Sequence, residues 1–218
     1  MEIIQLKDIH FNYPEDIKVF EGLNFSLKQG DRLGIMGLNG SGKTTLFYLI
    51  MGLLKPRKGK VIIWGKERAL EKDFKEARRK IGYLFQDPDD QLFSPTVEED
   101  ISFGPLNLRK NLQEVEEIVG SICNELGISA LKNRTCHKLS WGQKRLVSLA
   151  GILAMKPEVL IFDEPTASID EEVIEKIVSH LKSTNETLLI ASHDEKFLKD
   201  LCTEIYLLKD SQLIAKGI

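Results

Sequence analysis

Four stretches of this chain hold residues whose types and spacing can do chemistry. The first, Gly37-Leu38-Asn39-Gly40-Ser41-Gly42-Lys43-Thr44, satisfies G-x-x-x-x-G-K-[ST]. Its glycines permit backbone angles and close approach that a Cβ would block, so successive N–H groups can point at anionic oxygens. A helix start behind the loop adds partial positive charge. Lys43 would reach the β- and γ-phosphates of a nucleotide, and the Thr44 hydroxyl would ligate Mg²⁺. A chance match in a chain of this length is on the order of 1%. The second stretch is Asp163-Glu164, directly after the apolar run 159–162. Two adjacent carboxylates at a strand's end can divide work, one holding Mg²⁺ and one polarising a hydrolytic water. Gln86 and His193 also follow apolar runs. A glutamine there can touch Mg²⁺ and attacking water, although alone it is more often a surface amide. A histidine there can contact a γ-phosphate, although a lone one is usually structural.

These residues need strands ending together and a helix behind the loop. Residues 32–36 suit a buried strand, and 45–51 read as a helix ending at Gly52. Residues 81–85, 159–162 and 187–192 are further short apolar runs, the composition of a parallel sheet buried on both faces. Before them, residues 2–9 alternate, and 19–27 can return beside them after the Tyr13-Pro14 turn. Residues 61–64 are expected to join that antiparallel sheet. Residues 205–208 and 212–216 read as a closing hairpin, and 72–80 as a helix with a solvated basic face. Tyr13 can stack on a base or pack as a loop tyrosine.

The middle of the chain changes character. Residues 87–100 gather acidic side chains with Pro88 and Pro95 around Leu92, Phe93 and Val97, and Thr96 with Glu99 forms a capping-box pattern. Composition alone favours a solvated loop over a docking surface of apolar anchors rimmed by acids. Residues 112–127 carry Val115, Ile118, Val119, Ile122 and Leu126 on one helical face, more suited to a core than to a partner. In Leu139-Ser140-Trp141-Gly142-Gln143, Ser140 is a natural N-cap for the apolar helix that follows, and a helix start can bind an anion.

The totals are ordinary for a soluble globular chain of 218 residues: 42% hydrophobic, 29% charged, formal net charge −3. That balance argues against a nucleic-acid partner. No apolar run reaches the roughly 20 residues a membrane span needs, and the N-terminus lacks a signal-peptide profile. Cys123, Cys136 and Cys202 are widely separated, as plain thiols of a reducing compartment would be. A cytoplasmic protein is expected.

The ordered set Tyr13, Gly37 to Thr44, Gln86, Leu139 to Gln143, residues 159–164, Ser168-Ile169-Asp170 and His193 resembles the nucleotide-binding subunit of ATP-binding-cassette (ABC) transporters across essentially the whole chain. Each element is weak singly except the loop; all of them in this order are highly specific. The resemblance implies an α/β P-loop NTPase fold with a RecA-like core, an N-terminal antiparallel β subdomain and an inserted α-helical signature subdomain. As one ABC ATPase domain, its core would take about 1–86 and 156–218, and its helical subdomain 87–155. Pro88, Asp89 and Gln91 match the Pro-Asp-x-Gln pattern of energy-coupling-factor importer ATPases, the cobalt, nickel and vitamin uptake systems of prokaryotes. That match reverses the reading of the acidic stretch: residues about 87–105 become the contact with an integral membrane coupling protein.

By the same resemblance, Tyr13 stacks on the adenine of ATP. Gly37, Leu38, Asn39, Gly40, Ser41, Gly42, Lys43, Thr44 and Thr45 hold its phosphates. Thr44, Gln86 and Asp163 hold Mg²⁺, Glu164 is the general base, and His193 senses the γ-phosphate; Lys43 and Gln86 also serve catalysis. Ser140, Gly142 and Gln143 would complete the site of a second ABC ATPase subunit packed head to tail, with Asp170 at the seam. A separate membrane protein would recognise the solute, and the chain would sit peripherally on the inner face of the cell membrane. The alternative is a non-transport cassette acting on nucleic acid or ribosomes, but neither coiled-coil arms nor a tandem cassette is present in this sequence. A cassette that binds ATP without turnover is disfavoured by Glu164 and His193, and a GTPase by the absence of N-K-x-D.

Two features depart from the family pattern. Position 141 is Trp where the signature usually has Gly; its side chain is expected to point outward, without a positive φ. The sequence also stops at Ile218, soon after the closing hairpin, whereas many energy-coupling ATPases carry a C-terminal extension that helps them dimerise. A monomer or weak dimer is expected without ATP, and tight dimerisation of the nucleotide-free protein in light scattering would refute that.

Overall fold

The structure is a computed structural model and describes residues 1–217; Ile218, on which the dimerisation expectation turns, lies outside the described residues. In chain order the elements begin β1 (Glu2–Asn12), β2 (Lys18–Lys28), β3 (Arg32–Met36), α1 (Lys43–Met51), β4 (Lys58–Ile63), β5 (Lys66–Glu67) and α2 (Glu71–Arg78). There follow β6 (Ile81–Leu84), α3 (Val97–Asn107), α4 (Leu112–Glu125), α5 (Trp141–Leu153), β7 (Val159–Asp163) and α6 (Glu171–Lys182). The chain closes with β8 (Thr187–Ala191), α7 (Glu195–Leu201), β9 (Glu204–Lys209) and β10 (Gln212–Lys216). They divide into two compact units, Met1–Arg78 with Thr187–Ile218, and Arg79–Glu186.

In the first unit β1 pairs antiparallel with β2 and β4, and β5 extends β4. Ile4 and Leu6, Ile9 and Phe11, and Leu23, Phe25 and Leu27 are buried at alternate positions along β1 and β2, with the phase changing at register shifts such as that between Leu6 and Ile9, which is why the period-2 pattern was readable. A second set of strands has β3 between β8 and β9, parallel to both, and β9 turns back antiparallel into β10. Every residue of β8 is buried, as a strand covered on both faces must be. The helix α1 stops at Gly52, whose φ of 68° suits a left-handed C-cap and whose bare Cα lies against the Phe74 ring of α2.

In the second unit β6 and β7 pair in parallel, from Ile81 opposite Val159 to Leu84 opposite Phe162. All five residues of β7 are buried. Three helices begin with capping boxes: Thr96 with Glu99 on α3, Asn111 with Glu114 on α4, and Ser140 with Gln143 on α5. Helix α3 packs on α4 and α5, and α4 buries Val115, Val119, Ile122 and Cys123. This unit holds the whole segment expected as a helical subdomain, together with β6, β7 and α6.

All three cysteines are free and buried. Burial pushes the Cys136 thiol up to about 11 and the Cys202 thiol up to about 12, so neither is a nucleophile at neutral pH. Among the described residues no helix is long and apolar enough to cross a membrane.

Candidate nucleotide-binding and hydrolysis site

In the first unit the loop between β3 and α1 is held open by its glycines. A Cβ on Gly37 would lie 2.5 Å from Ser41 Oγ and 2.9 Å from the Leu208 carbonyl; one on Gly42, where φ is 103°, would lie 2.7 Å from Val19 Cγ1. Leu38, Asn39 and Gly40 are exposed at the crest. The N-cap of α1 is Gly42, with no side chain capping the first turn. No N-cap side chain competes for the first-turn N–H groups, a condition that favours anion binding at a helix start. Lys43 is only 7% exposed. Its Nζ donates to the carbonyls of Gly37 at 2.9 Å and Leu38 at 3.4 Å, folded across the loop a phosphate would fill. Ser41 Oγ is buried without a hydrogen-bond partner. An orphaned hydroxyl, a side-chain-free helix start and a buried lysine all fit a polyphosphate.

Tyr13 and His193 are brought to this loop from opposite ends of the sequence. The Tyr13 hydroxyl shares a hydrogen bond with Thr45 Oγ1 at 3.1 Å, which fastens the aromatic to the first turn of α1. Phe11 packs edge-on against its ring at 5.0 Å. His193 is exposed just past β8. The Ser192 N–H donates to the Ile35 carbonyl at 3.1 Å, joining the ends of β8 and β3 two residues before Gly37. The loop and His193 thus share the C-terminal edge of parallel strands, where ligands bind in α/β sheets.

In the second unit Asp163 is 1% exposed and Glu164 6% exposed. Tyr83 donates its hydroxyl proton to Asp163 Oδ2 at 3.2 Å, so β6 orients the carboxylate that ends β7. Glu164 holds φ 45°, a left-handed conformation in which a non-glycine residue is strained and which is common at functional positions. Gln86 lies exposed past β6. Gln86 and Asp163 offer amide and carboxylate oxygens, hard donors of the kind that suit Mg²⁺, and Thr44 of the first unit carries a hydroxyl of the same kind.

The signature segment opens α5. Ser140 Oγ accepts from the Gln143 N–H at 3.3 Å, and the Ser140 N–H donates to Gln143 Oε1 at 3.1 Å. Gly142 is buried, and a Cβ there would stand 3.0 Å from Val173 of α6. Asp170 is exposed as the N-cap of α6. Trp141 corrects one expectation. It sits in helical backbone as the first residue of α5, so no positive φ is forced on it. Its side chain does not simply point outward, however: Nε1–H donates to the Ala167 carbonyl at 3.3 Å, and the residue is half-buried. The loop after Glu164 offers that indole an acceptor.

Sequence reasoning missed Arg145 and read Gln91 only as part of the Pro-Asp-x-Gln pattern of the docking segment. Arg145 is fully buried. Its Nη1 and Nη2 donate to the Phe85 and Gln86 carbonyls, both at 2.5 Å. Burial lowers its pKa to about 10 against the pull of Asp87 and Asp163, so it is still a cation at neutral pH. Gln91 accepts from the Phe85 N–H at 3.2 Å and donates to the Ser148 carbonyl at 3.0 Å. Lys144 pairs with Asp89 at 2.5 Å. Arginines are almost never fully buried unless paired, and nothing local in Gln143-Lys144-Arg145-Leu146 marks this one as buried.

A phosphate loop on β3, a carboxylate pair ending β7 and a capped signature helix define a cassette-type ATPase. The family model described as "ABC transporter" matches residues 20–167. An energy-coupling factor transporter ATP-binding protein, EcfA, from Methanothermobacter thermautotrophicus is 42% identical over 99% of this chain and 70% of its own length. The EcfA of Methanocaldococcus jannaschii is 41% identical over 100% of this chain and 79% of its own length. Among solved structures, cbiO1 from Clostridium perfringens, part of the ABC transporter complex cbiONQ, superposes with a TM-score of 0.86 at 36% identity, covering 99% of this chain and 88% of that one. A dimeric cassette bound to ADP and phosphate superposes at 0.89 with 26% identity, covering 99% and 98%. The chain belongs to the ABC transporter ATPases, in their energy-coupling-factor branch, and it hydrolyses ATP.

Proposed function

We propose that the chain powers uptake of a metal ion such as cobalt or nickel, or of a vitamin, as the ATPase of an energy-coupling-factor importer. Tyr13 stacks on adenine, and the N–H groups of the 37–45 loop with Lys43 hold the phosphates. Thr44, Gln86 and Asp163 hold Mg²⁺, which when bound offsets phosphate charge. Glu164 takes a proton from the attacking water, and His193 contacts the γ-phosphate. Ser140, Gly142 and Gln143 face the nucleotide of a second cassette packed head to tail, so binding closes the pair and hydrolysis reopens it. The chain works on the cytoplasmic face of the membrane, with a coupling protein and a separate solute-binding subunit in the bilayer.

The observation that carries the transport reading is the surface of residues 87–105. Phe93 is 65% exposed and Phe103 50% exposed, and their rings meet edge-on at 4.7 Å. Asp100 holds the turn beneath them, accepting from the N–H groups of Phe93 at 3.1 Å and Ser94 at 2.8 Å. Exposed, preformed aromatic anchors rimmed by acids suit a helix carrying apolar and basic side chains. Replacing both Phe93 and Phe103 by alanine is expected to weaken recovery of the chain with its membrane partners more than about tenfold, since such anchors contribute about 1–2 kcal/mol each. ATP turnover of the free chain should stay within about twofold. Unchanged co-purification from membranes would remove the docking role.

A further inference from the structure

The family signature asks for no indole at position 141, yet the indole here is tied to the residues that follow Glu164. Trp141 Nε1–H donates to the Ala167 carbonyl at 3.3 Å, and the Ala167 N–H donates to the Glu164 carbonyl at 3.2 Å. Ala167 is thus held from both sides in a tight turn whose ends, Glu164 at φ 45° and Ser168 at φ 59°, are both left-handed. Non-glycine residues keep such angles only where neighbours enforce them. A second contact braces the arrangement: bare Gly142 lies against Val173, and the Val173 N–H donates to the Asp170 carbonyl at 3.0 Å. The start of α5 therefore touches the segment between Glu164 and the first turn of α6 at two places, Ala167 and Val173.

We propose that Trp141 is a positioning residue for Glu164, its indole N–H clamping the turn that sets the carboxylate's angle. The inference rests on the reading of Glu164 as the general base. Losing the clamp leaves the chain's own phosphate loop from Gly37 to Thr45 untouched, so it lowers kcat and spares the KM for ATP.

Trp141→Phe keeps the ring and deletes the donor; Trp141→Gly restores the residue the family tolerates here and guards against a Phe variant that folds poorly. Amide hydrogen exchange at residues 165–170, in the nucleotide-free protein, should quicken about fivefold in either variant. That is the effect of one hydrogen bond of about 1 kcal/mol. In steady-state ATP hydrolysis kcat should fall by a similar factor with KM within about twofold. Unchanged exchange overturns the clamp. Faster exchange with unchanged kcat, or a rise in KM alone, overturns the positioning role. Failure of the Glu164 reading looks different: Glu164→Gln would hydrolyse normally while the exchange difference persisted.

Discussion

Glu164→Gln will retain ATP and hydrolyse it about 10² to 10⁴ times more slowly, the usual cost of losing a general base. The change removes about 3–5 kcal/mol of transition-state stabilisation and little else. Glutamine is close in size to glutamate, which matters because Glu164 is 6% exposed in a strained turn that tolerates little change of shape. An amide cannot take the proton, but it leaves β7, Asp163 and the Ala167 turn as they are. Filter-binding of ATP beside a phosphate-release assay separates the two effects. Normal turnover by this variant would move the base elsewhere, whereas loss of ATP binding would show that the substitution had disturbed more than proton transfer.

The second expectation is structural. Arg145→Met should destabilise the protein by about 2–5 kcal/mol, because it strips the donors from two part-buried carbonyls, each costing about 1–2 kcal/mol when left unpaired, and removes a guanidinium packed in the interior. In a chain of this size that lowers the melting temperature by about 10 °C. Replacing a buried charge with an apolar side chain can be harmless when its partners leave too; here the partners are backbone carbonyls of Phe85 and Gln86 and cannot leave. Arg145→Lys should recover less than half of the loss, since a single ammonium cannot reproduce the planar fork that spans both oxygens. Differential scanning calorimetry decides it, and a Met variant that melts with the wild type would show that water replaces the guanidinium. Turnover should fall too, because Gln86 is the residue whose backbone is released.

Most strands and helices were readable because burial imprints a period. The alternation in β1, the unbroken apolar runs of β7 and β8, the capping box of α3 and the Ser140 N-cap of α5 each follow from contacts within a few residues. The phosphate loop was readable for a related reason: its geometry is enforced by glycines at fixed spacing. Arg145, Gln91 and Tyr83 were not, because their roles lie in partners 60, 57 and 80 positions away. Nothing local distinguishes an arginine that grips β6 from one that reaches solvent. Trp141 failed differently. The choice between strain and exposure omitted a third possibility, an acceptor 26 positions on that makes use of the ring.

Lys144, Arg145 and Ser148 attach α5 to Asp89, to the Phe85 and Gln86 carbonyls and to Gln91 within little more than one helical turn. A linkage fastened at that many points has no play. A displacement of the strip from Phe85 to Gln91 would be passed directly to the first turns of α5, as motion passes through a keyed shaft rather than a spring. Cutting any one of these fasteners would introduce backlash between that strip and the start of the signature helix.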